Sequence, residues 1–388
     1  MDRKIKIAVI TPGRSHLLDM SKQFLNKGAE VTFYTVVPKS RCNDFGLPSK
    51  NVVSFFYICA PLMFIFRKIK LPFDLNRYIY YVVCRIVDIL SALFLRKCDI
   101  LISISGCSVI AARKAKLKFG AMFFCDRGAK HIIEQDKILQ NIPQGKQVFR
   151  KDISIELKQY ELADKIILPS THTLESFLKH GFSKDKLFIN PYGVSLDMFY
   201  PIAAVPSYDV IFVGNLSFQK GGDIIIEACK NLGLRMLHVG NLSDVEFPKN
   251  NLFKHVDSVN QSELTYFYCK AKILALPSRQ DGFGLVLFQA MACGLPLVFT
   301  HDTGGPDLRN LIENKQYLIE SKSNTVKDLE MALDKALRLA DTQDFSHRIY
   351  LTDIDKETIS WNGYGKRYWD FITSLYESKS TTCTLSRK

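Results

Sequence analysis

The stretch Pro277-Ser-Arg-Gln-Asp-Gly-Phe-Gly-Leu-Val-Leu-Phe-Gln-Ala-Met-Ala-Cys-Gly-Leu-Pro-Leu-Val-Phe-Thr300 decides how the rest of the chain is read. An apolar run over 273–276 predicts a strand leading into it. Gly282 and Gly284 mark a loop. A helix is expected from Leu285, carrying Ala290, Met291 and Ala292 and stopped by Gly294. A second apolar strand over 297–299 follows Pro296. The first amides of such a helix lack partners inside it and face the loop. With the helix dipole they form a site for an anion. Asp281 stands before the helix and Gln289 in its second turn. An anion cradle between two side chains able to bind hydroxyls suits a nucleotide diphosphate joined to a sugar.

Outward from this unit, strand-like and helix-like segments alternate. Apolar or β-branched runs over 5–10, 30–36, 100–104 and 121–124 predict strands, and 17–26 has helical spacing ending near Gly28. A helix over 157–163, a strand over 165–169 and a helix over 171–180 stopped by Gly181 come next. Two prolines and small residues over 202–207 read as a linker. Beyond it the alternation restarts, with strands over 210–213, 236–239 and 252–256 and helices over 223–231 and 262–270. Such alternation predicts parallel sheets with helices on both faces. A chain of 388 residues is long enough for two such domains. In doubly wound sheets ligands bind beyond the carboxyl ends of the strands, so a site shared between the domains is expected. A helical, aromatic segment over 361–376 precedes a small, polar, basic tail, 379–388, expected to be disordered.

Hydrophobic residues make up 47% and charged residues 23%, a globular composition, with a formal net charge of +13. That charge favours anionic partners: nucleotide phosphates, anionic lipid or nucleic acid. No nucleic-acid-binding motif is present. No Gly-x-Gly-x-x-Gly follows the first strand, as a dinucleotide dehydrogenase would need. The ten cysteines are scattered without metal or redox spacing and read as small buried hydrophobes of a reducing compartment. No histidine cluster stands at metal-ligand spacing, and neither a metal nor a cofactor is expected.

Residues 1–10 read as a first strand rather than a secretory leader. Membrane spans are not expected. The run 52–66 is short and interrupted by Pro61, and 78–95 holds Arg85 and Asp88, which are costly in a bilayer. The segment 64–97 mixes Arg67, Lys68, Lys70, Arg77, Arg85, Arg96 and Lys97 with many aromatics. Two readings stay open: a basic amphipathic surface lying on anionic lipid, or core helices with ordinary solvated charges.

The stretch 277–300 resembles the donor-binding motif of family-4 retaining glycosyltransferases. Tyr160-Glu-Leu-Ala-Asp-Lys-Ile-Ile-Leu-Pro-Ser170, Asn190-Pro-Tyr-Gly-Val-Ser-Leu-Asp-Met-Phe199 and Thr303-Gly-Gly-Pro-Asp307 are similar to segments of the same family. The resemblance implies an α/β protein of the GT-B fold, two doubly wound Rossmann-like domains facing across a cleft. The first, 1–200, would bind the acceptor and be completed by a C-terminal helix over 360–378. The second, 208–355, would bind a nucleotide-diphosphate sugar. The implied activity is metal-independent transfer, with retention, to a saccharide or lipid-linked acceptor. The implied setting is assembly of surface polysaccharide, lipopolysaccharide or glycolipid, in the cytoplasm or peripherally on the cytoplasmic face of an anionic membrane. The donor is a substrate, and nucleic acid is not an expected partner.

The same resemblance assigns residues. Lys220, in Val213-Gly-Asn-Leu-Ser-Phe-Gln-Lys-Gly-Gly222, would place its ammonium on the leaving diphosphate; a solvated loop lysine is the plainer reading. The family has an arginine where Asn215 stands, and two glutamates where Asp281 and Gln289 stand. Asp281 would meet a sugar hydroxyl and Gln289 the nucleotide ribose, or both would cap the helix. Gly13, Asn215, Lys220, Asp281, Gly282, Phe283, Gly284, Leu285, Val286 and Gln289 make up the implied donor site. Gly13 would let the backbone approach a ligand, or form a simple turn. Arg14, His16, Asp126 and Arg127 would meet the acceptor. His131 would join Lys220 and Asp281 at the reaction centre. Two alternatives stand beside the transferase: a GT-B nucleotide-sugar epimerase, and a glycosyltransferase-like binding protein whose changes at Asn215, Asp281 and Gln289 mark lost turnover.

Overall fold

Strands that are apolar on both faces build two separate sheets in the structure, a computed structural model that describes residues 4–68, 73–145, 147–345, 348 and 350–385. The first sheet contains β1 (Lys6–Ile10), β2 (Glu30–Thr35), β3 (Val52–Ser54), β4 (Ile100–Ile104), β5 (Met122–Asp126), β6 (Lys165–Leu168) and β7 (Leu187–Ile189), in the order β3-β2-β1-β4-β5-β6-β7. The second contains β8 (Tyr208–Val213), β9 (Met236–Val239), β10 (Phe253–Val256), β11 (Ala271–Leu276), β12 (Leu297–Phe299) and β13 (Leu318–Glu320), in the order β10-β9-β8-β11-β12-β13. Neighbours pair in parallel, including β1 with β2 and β4, and β8 with β9 and β11. Helices cover both faces, so Val9, Ile100, Leu101, Phe212, Ile273 and Leu274 are fully buried. Their strands therefore read as apolar runs rather than alternating ones. The order reverses beside β1 and again beside β8, which opens a crevice at the carboxyl end of each sheet.

The stretch 277–300 folds as read: β11, a glycine loop, the helix Leu285–Ala292, then β12. Gly284 is the helix N-cap at φ +83°, and a Cβ there would stand 2.6 Å from Leu276 Cδ2. Both facts select glycine. Three strands absent from the sequence reading, β3, β7 and β13, are three residues long and lie at sheet edges. Runs that short carry no periodicity to detect.

The segment 64–97 contributes to two helices, Phe56–Lys68 and Phe73–Phe94. Val83, Cys84 and Val87 bury the inner face of the longer one in the same apolar cluster as Ala111 and Ala112 of the helix Val109–Phe119. Asp88, fully buried, accepts hydrogen bonds from the amides of Val109, Ile110 and Ala111 at 2.9–3.1 Å and so caps that neighbouring helix. Arg85 turns inward to Asp88 (3.2 Å) and to the Gly106 carbonyl, so it is not part of a basic outer surface. Lys70 lies outside the described residues, and only the backbone of Arg67 and Lys68 is described.

The helix Trp361–Leu385 packs on the first sheet's side of the molecule. Phe371 stacks on Phe188 at 3.8 Å, and Tyr368 meets Phe24 edge-on at 5.3 Å. It continues past Lys379 to Leu385, through most of the span expected to be a disordered tail. Once a helix is nucleated by its packed half, each further residue adds a hydrogen bond without a new nucleus. Residues 386–388 lie outside the described residues.

Candidate active site

The loops after β8 and β11 meet over the start of the helix Leu285–Ala292. Arg279 clamps them together through Asp223 at 2.6 Å, and Gln219 Nε2 donates to Gln280 Oε1 at 2.6 Å. On this frame the Lys220 ammonium pairs with Asp281 Oδ2. The same oxygen stands 3.6 Å from where a Cβ on Gly284 would be, so the ion pair sits beside the helix N-terminus. The Asp281 amide donates to the Asp302 carbonyl at 2.9 Å, which fixes the loop. Leu285 and Val286 open the helix, where amides have no intrahelical acceptor. Cation, carboxylate and free amide ends thus occupy one point of the second crevice.

The first domain faces them with His16 and Asp126. His16 Nε2 lies 2.8 Å from Asp126 Oδ1, and Asp126, at the end of β5, is buried. The imidazole packs against Tyr192 with centroids 4.3 Å apart, and Tyr192 meets Phe283 of the second domain at 5.2 Å. Tyr192 therefore links the two crevices. Further contacts tie the domains there: Lys130 to Asp302 at 2.6 Å, Ser170 Oγ to the Gly282 carbonyl at 2.7 Å, and His172 Nδ1 to the Thr303 carbonyl at 3.1 Å. Asp307 of the second domain accepts from the amide of Thr171 (3.0 Å) and from its hydroxyl, at the first turn of the helix Thr171–Lys179. A side chain at Gly282 would overlap the Gly128 carbonyl. That glycine is required by the contact between the domains, not only by a ligand.

A cavity of about 770 Å³ opens between the halves. Arg77, Tyr80, Gln135, Asp152 and Glu156 line it from the first domain, and Asn215, Gln219 and Asp244 from the second. Arg127, nearly buried at its edge, is held by Glu156 at 3.0 Å and also donates to Gln135 and Ser105. Burial, and then the neighbouring Glu156, push the Asp152 carboxyl up to about 6. A wall of amides, carboxylates and guanidinium groups can exchange hydrogen bonds with a polyhydroxylated ligand. Sequence reasoning missed Tyr192 as a site residue, although it lies inside the 190–199 segment. It also missed Gln135, Asp152 and Glu156, which come from the helices Ile132–Asn141 and Arg150–Leu162 and carry no local motif.

Three assignments are placed otherwise than expected: His131, Gln289 and Arg14. His131 is 2% exposed, and its Nδ1 caps the helix Ile132–Asn141 by accepting from Ile133 at 3.4 Å. Its ring stacks on His180 at 4.0 Å and packs against Tyr160 and Phe177. Burial, with His180 and Arg127 beside it, pushes its pKa down to about 3. It is a neutral structural cap, whereas His16 stands between Asp126 and Tyr192. Gln289 is also buried, its Oε1 accepting from the Tyr268 hydroxyl at 2.8 Å, because the second turn of its helix faces the domain core. Arg14 lies over the Phe45 ring at 3.9 Å and donates to Gln261 at 3.4 Å. There it lines a separate cavity of about 900 Å³ with Asp19, Lys22, Arg41 and Trp361, apart from Asp126 and Arg127. Asn215 does line the first cavity, but its Oδ1 accepts from Asn241 at 3.2 Å. Gly13 has nothing within 4 Å of where a Cβ would stand, so space is open beside it. Asp353-Ile-Asp355 has an Asp-x-Asp spacing. Asp355 is used there to bind the amides of Thr352 and Glu313.

Two parallel sheets meeting across a crevice at both switch points define the GT-B glycosyltransferase fold. The chain is similar to sucrose-phosphate synthase from Thermosynechococcus elongatus (TM-score 0.64, 14% identity, 97% of this chain and 100% of that one). It is also similar to HepE of Anabaena in complex with UDP and glucose (0.63, 13%, 95% and 100%) and to the lipopolysaccharide outer core galactosyltransferase WaaB (0.60, 17%, 96% and 100%). Residues 207–339 match the family model Glycosyl transferases group 1. Curated relatives include an uncharacterized glycosyltransferase of Methanocaldococcus jannaschii, 31% identical over 33% of this chain and 39% of that protein. Another is the amylovoran biosynthesis glycosyltransferase AmsD of Erwinia amylovora, 26% identical over 42% and 50%. The matched part therefore spans half or less of these two relatives.

Proposed function

We propose that this chain transfers a sugar from a nucleotide-diphosphate donor to an acceptor hydroxyl, with retention and without a metal. The observation that carries the reading is the Lys220–Asp281 ion pair beside the N-terminus of the helix Leu285–Ala292. The bond from the anomeric carbon to the diphosphate breaks, and its electron pair stays on the phosphate oxygen. The Lys220 ammonium and the helix amides stabilise that charge. The acceptor oxygen bonds the anomeric carbon on the same face, and its proton passes to the leaving phosphate. Asp281 holds Lys220 in place until the donor arrives and then meets a sugar hydroxyl. The acceptor, a saccharide or lipid-linked saccharide, occupies the cavity lined by Gln135, Asp152 and Glu156. The names of AmsD and WaaB support a role in polysaccharide or lipopolysaccharide assembly.

A second reading, a donor-binding protein without turnover, is favoured by Gln289 and Asn215, whose side-chain oxygens are engaged by Tyr268 and Asn241. Donor hydrolysis separates the two. The protein is incubated with uridine- and guanosine-diphosphate sugars, uridine first because HepE is solved with UDP. Release of nucleotide diphosphate from one donor, reduced about 10²–10³-fold in Lys220→Ala, supports transfer. Donor binding with no release, even when saccharide acceptors are added, supports the second reading. Absence of binding to every donor rejects both.

A further inference from the structure

More than half of the exposed large apolar side chains among the described residues fall between Tyr57 and Leu117. They are arranged by helical spacing. On the helix Phe56–Lys68, Tyr57 (89% exposed), Pro61 and Phe64 stand at i, i+4 and i+7. On the helix Phe73–Phe94, Leu75, Tyr78, Ile89 and Leu93 share one face, with the half-buried Val82 and Ile86 between them. On the helix Val109–Phe119, Ile110 and Leu117 (88% exposed) stand seven apart. Each helix therefore buries one apolar face in the domain and turns another outward. An ordinary surface helix has one apolar stripe and a polar outer face.

The surroundings of this surface are cationic. Residues 45–120 hold twelve Lys and Arg, of which Arg85 turns inward and Arg77 lines the cavity, against three Asp and no Glu. Of those three, Asp88 is buried as a helix cap and Asp99 accepts from the Lys6 amide at 2.9 Å. Arg96 and Lys97 are exposed just after Phe94, and Arg113 lies between Ile110 and Leu117. Lys114 reaches to the carbonyls of Ala92 and Leu93, which joins two of the helices at their ends.

We propose that this face docks on an anionic lipid bilayer, the three helices lying in its interface rather than crossing it. No described helix is long and apolar enough to span. An apolar face inserted to the depth of the acyl boundary, fringed by Lys and Arg at the level of the phosphates, matches the physics of interfacial helices. A second copy of the chain is the poorer occupant, because a two-fold contact would set the same cationic fringe against itself. The helix Phe73–Phe94 also supplies Arg77, Tyr80 and Cys84 to the 770 Å³ cavity. One helix thus borders both the docking face and the cavity assigned to the acceptor, so a saccharide carried on a lipid would enter from the bilayer plane. That last point rests on the proposed transfer; the docking itself does not.

The test uses the whole protein and sucrose-loaded vesicles, one set of phosphatidylcholine and one of equal parts phosphatidylcholine and phosphatidylglycerol. The protein is expected to sediment with the anionic vesicles and to be released by high salt. The double variant Leu93→Glu/Leu117→Glu, changed only at exposed positions, is expected to lose at least tenfold in partition while its melting temperature and donor binding stay unchanged. Arg96→Glu/Arg113→Glu is expected to lose binding at low salt. Equal binding to neutral vesicles, no sedimentation with anionic ones, or undiminished binding of both variants would overturn the proposal. So would a dimer in solution that Leu93→Glu dissociates. Donor hydrolysis plays no part in the sedimentation, so failure of docking and failure of the transferase reading are told apart.

Discussion

Two histidines show how little a residue type says without its neighbours. His16 and His131 each follow a strand of the first sheet, yet only His16 is oriented by Asp126 and packed on Tyr192, which meets Phe283 of the second domain. His131 spends its Nδ1 on a helix cap inside an aromatic cluster. His16→Ala is therefore expected to lower kcat/KM at least tenfold with little change in melting temperature. His131→Ala is expected to cost about 1–2 kcal/mol in denaturant unfolding through the lost cap, with donor KM unchanged. Asp152 gives a pH signature. Its folded-state pKa, about 6, lies above its unfolded value, so the native state binds the extra proton between about pH 4 and 6. Stability falls as pH rises through that window. Asp152→Asn is expected to melt at a higher temperature than the parent at pH 8 but not at pH 4, by thermal denaturation at both values.

At the scale of elements, one helix is held by a residue from another. Asp88 lies in the helix Phe73–Phe94 but binds three amides of the helix Val109–Phe119. Removing it leaves those amides without their acceptor and takes from Arg85 its carboxylate partner, leaving it the Gly106 carbonyl. Asp88→Ala is expected to destabilise the protein by about 3 kcal/mol, measured by urea unfolding. In sequence, Asp88 served only to argue against a membrane span, and Arg85 also counted toward a basic surface. Their partners lie about twenty positions along the chain, beyond any local pattern. The edge strands β3, β7 and β13 were hidden for a related reason, since pairing with a neighbour rather than periodicity defines them.

For the whole molecule, function depends on how the two sheets face each other. Asp307 reaches from the second domain to the first turn of the helix Thr171–Lys179, and Lys130 reaches back to Asp302. These polar contacts, with Tyr192 between His16 and Phe283, hold the cleft at its present width. Asp307→Ala is expected to raise the radius of gyration in small-angle scattering. It is also expected to weaken donor binding about tenfold, the equivalent of ~1.4 kcal/mol. An unchanged radius with weakened binding would instead assign Asp307 to the ligand.

The sequence by itself determined most of the strands, the glycine loop with its helix, and the positions of Lys220, Asp281 and Gly284, because each follows from neighbours a few residues away. Apolar runs, a breaker and a cap are local signals, and they also determined that two parallel sheets would form. Only the tertiary structure decided which side chains share a site. It brought Lys220 onto Asp281, sixty-one positions apart, and His16 onto Asp126, one hundred and ten apart. It turned Gln289 and His131 inward, because a helix face or a capping position sets a side chain's direction only once its neighbours are in place. The outward apolar faces of the helices near the cleft were equally a tertiary result. A stripe in sequence does not say which of two faces the core will take.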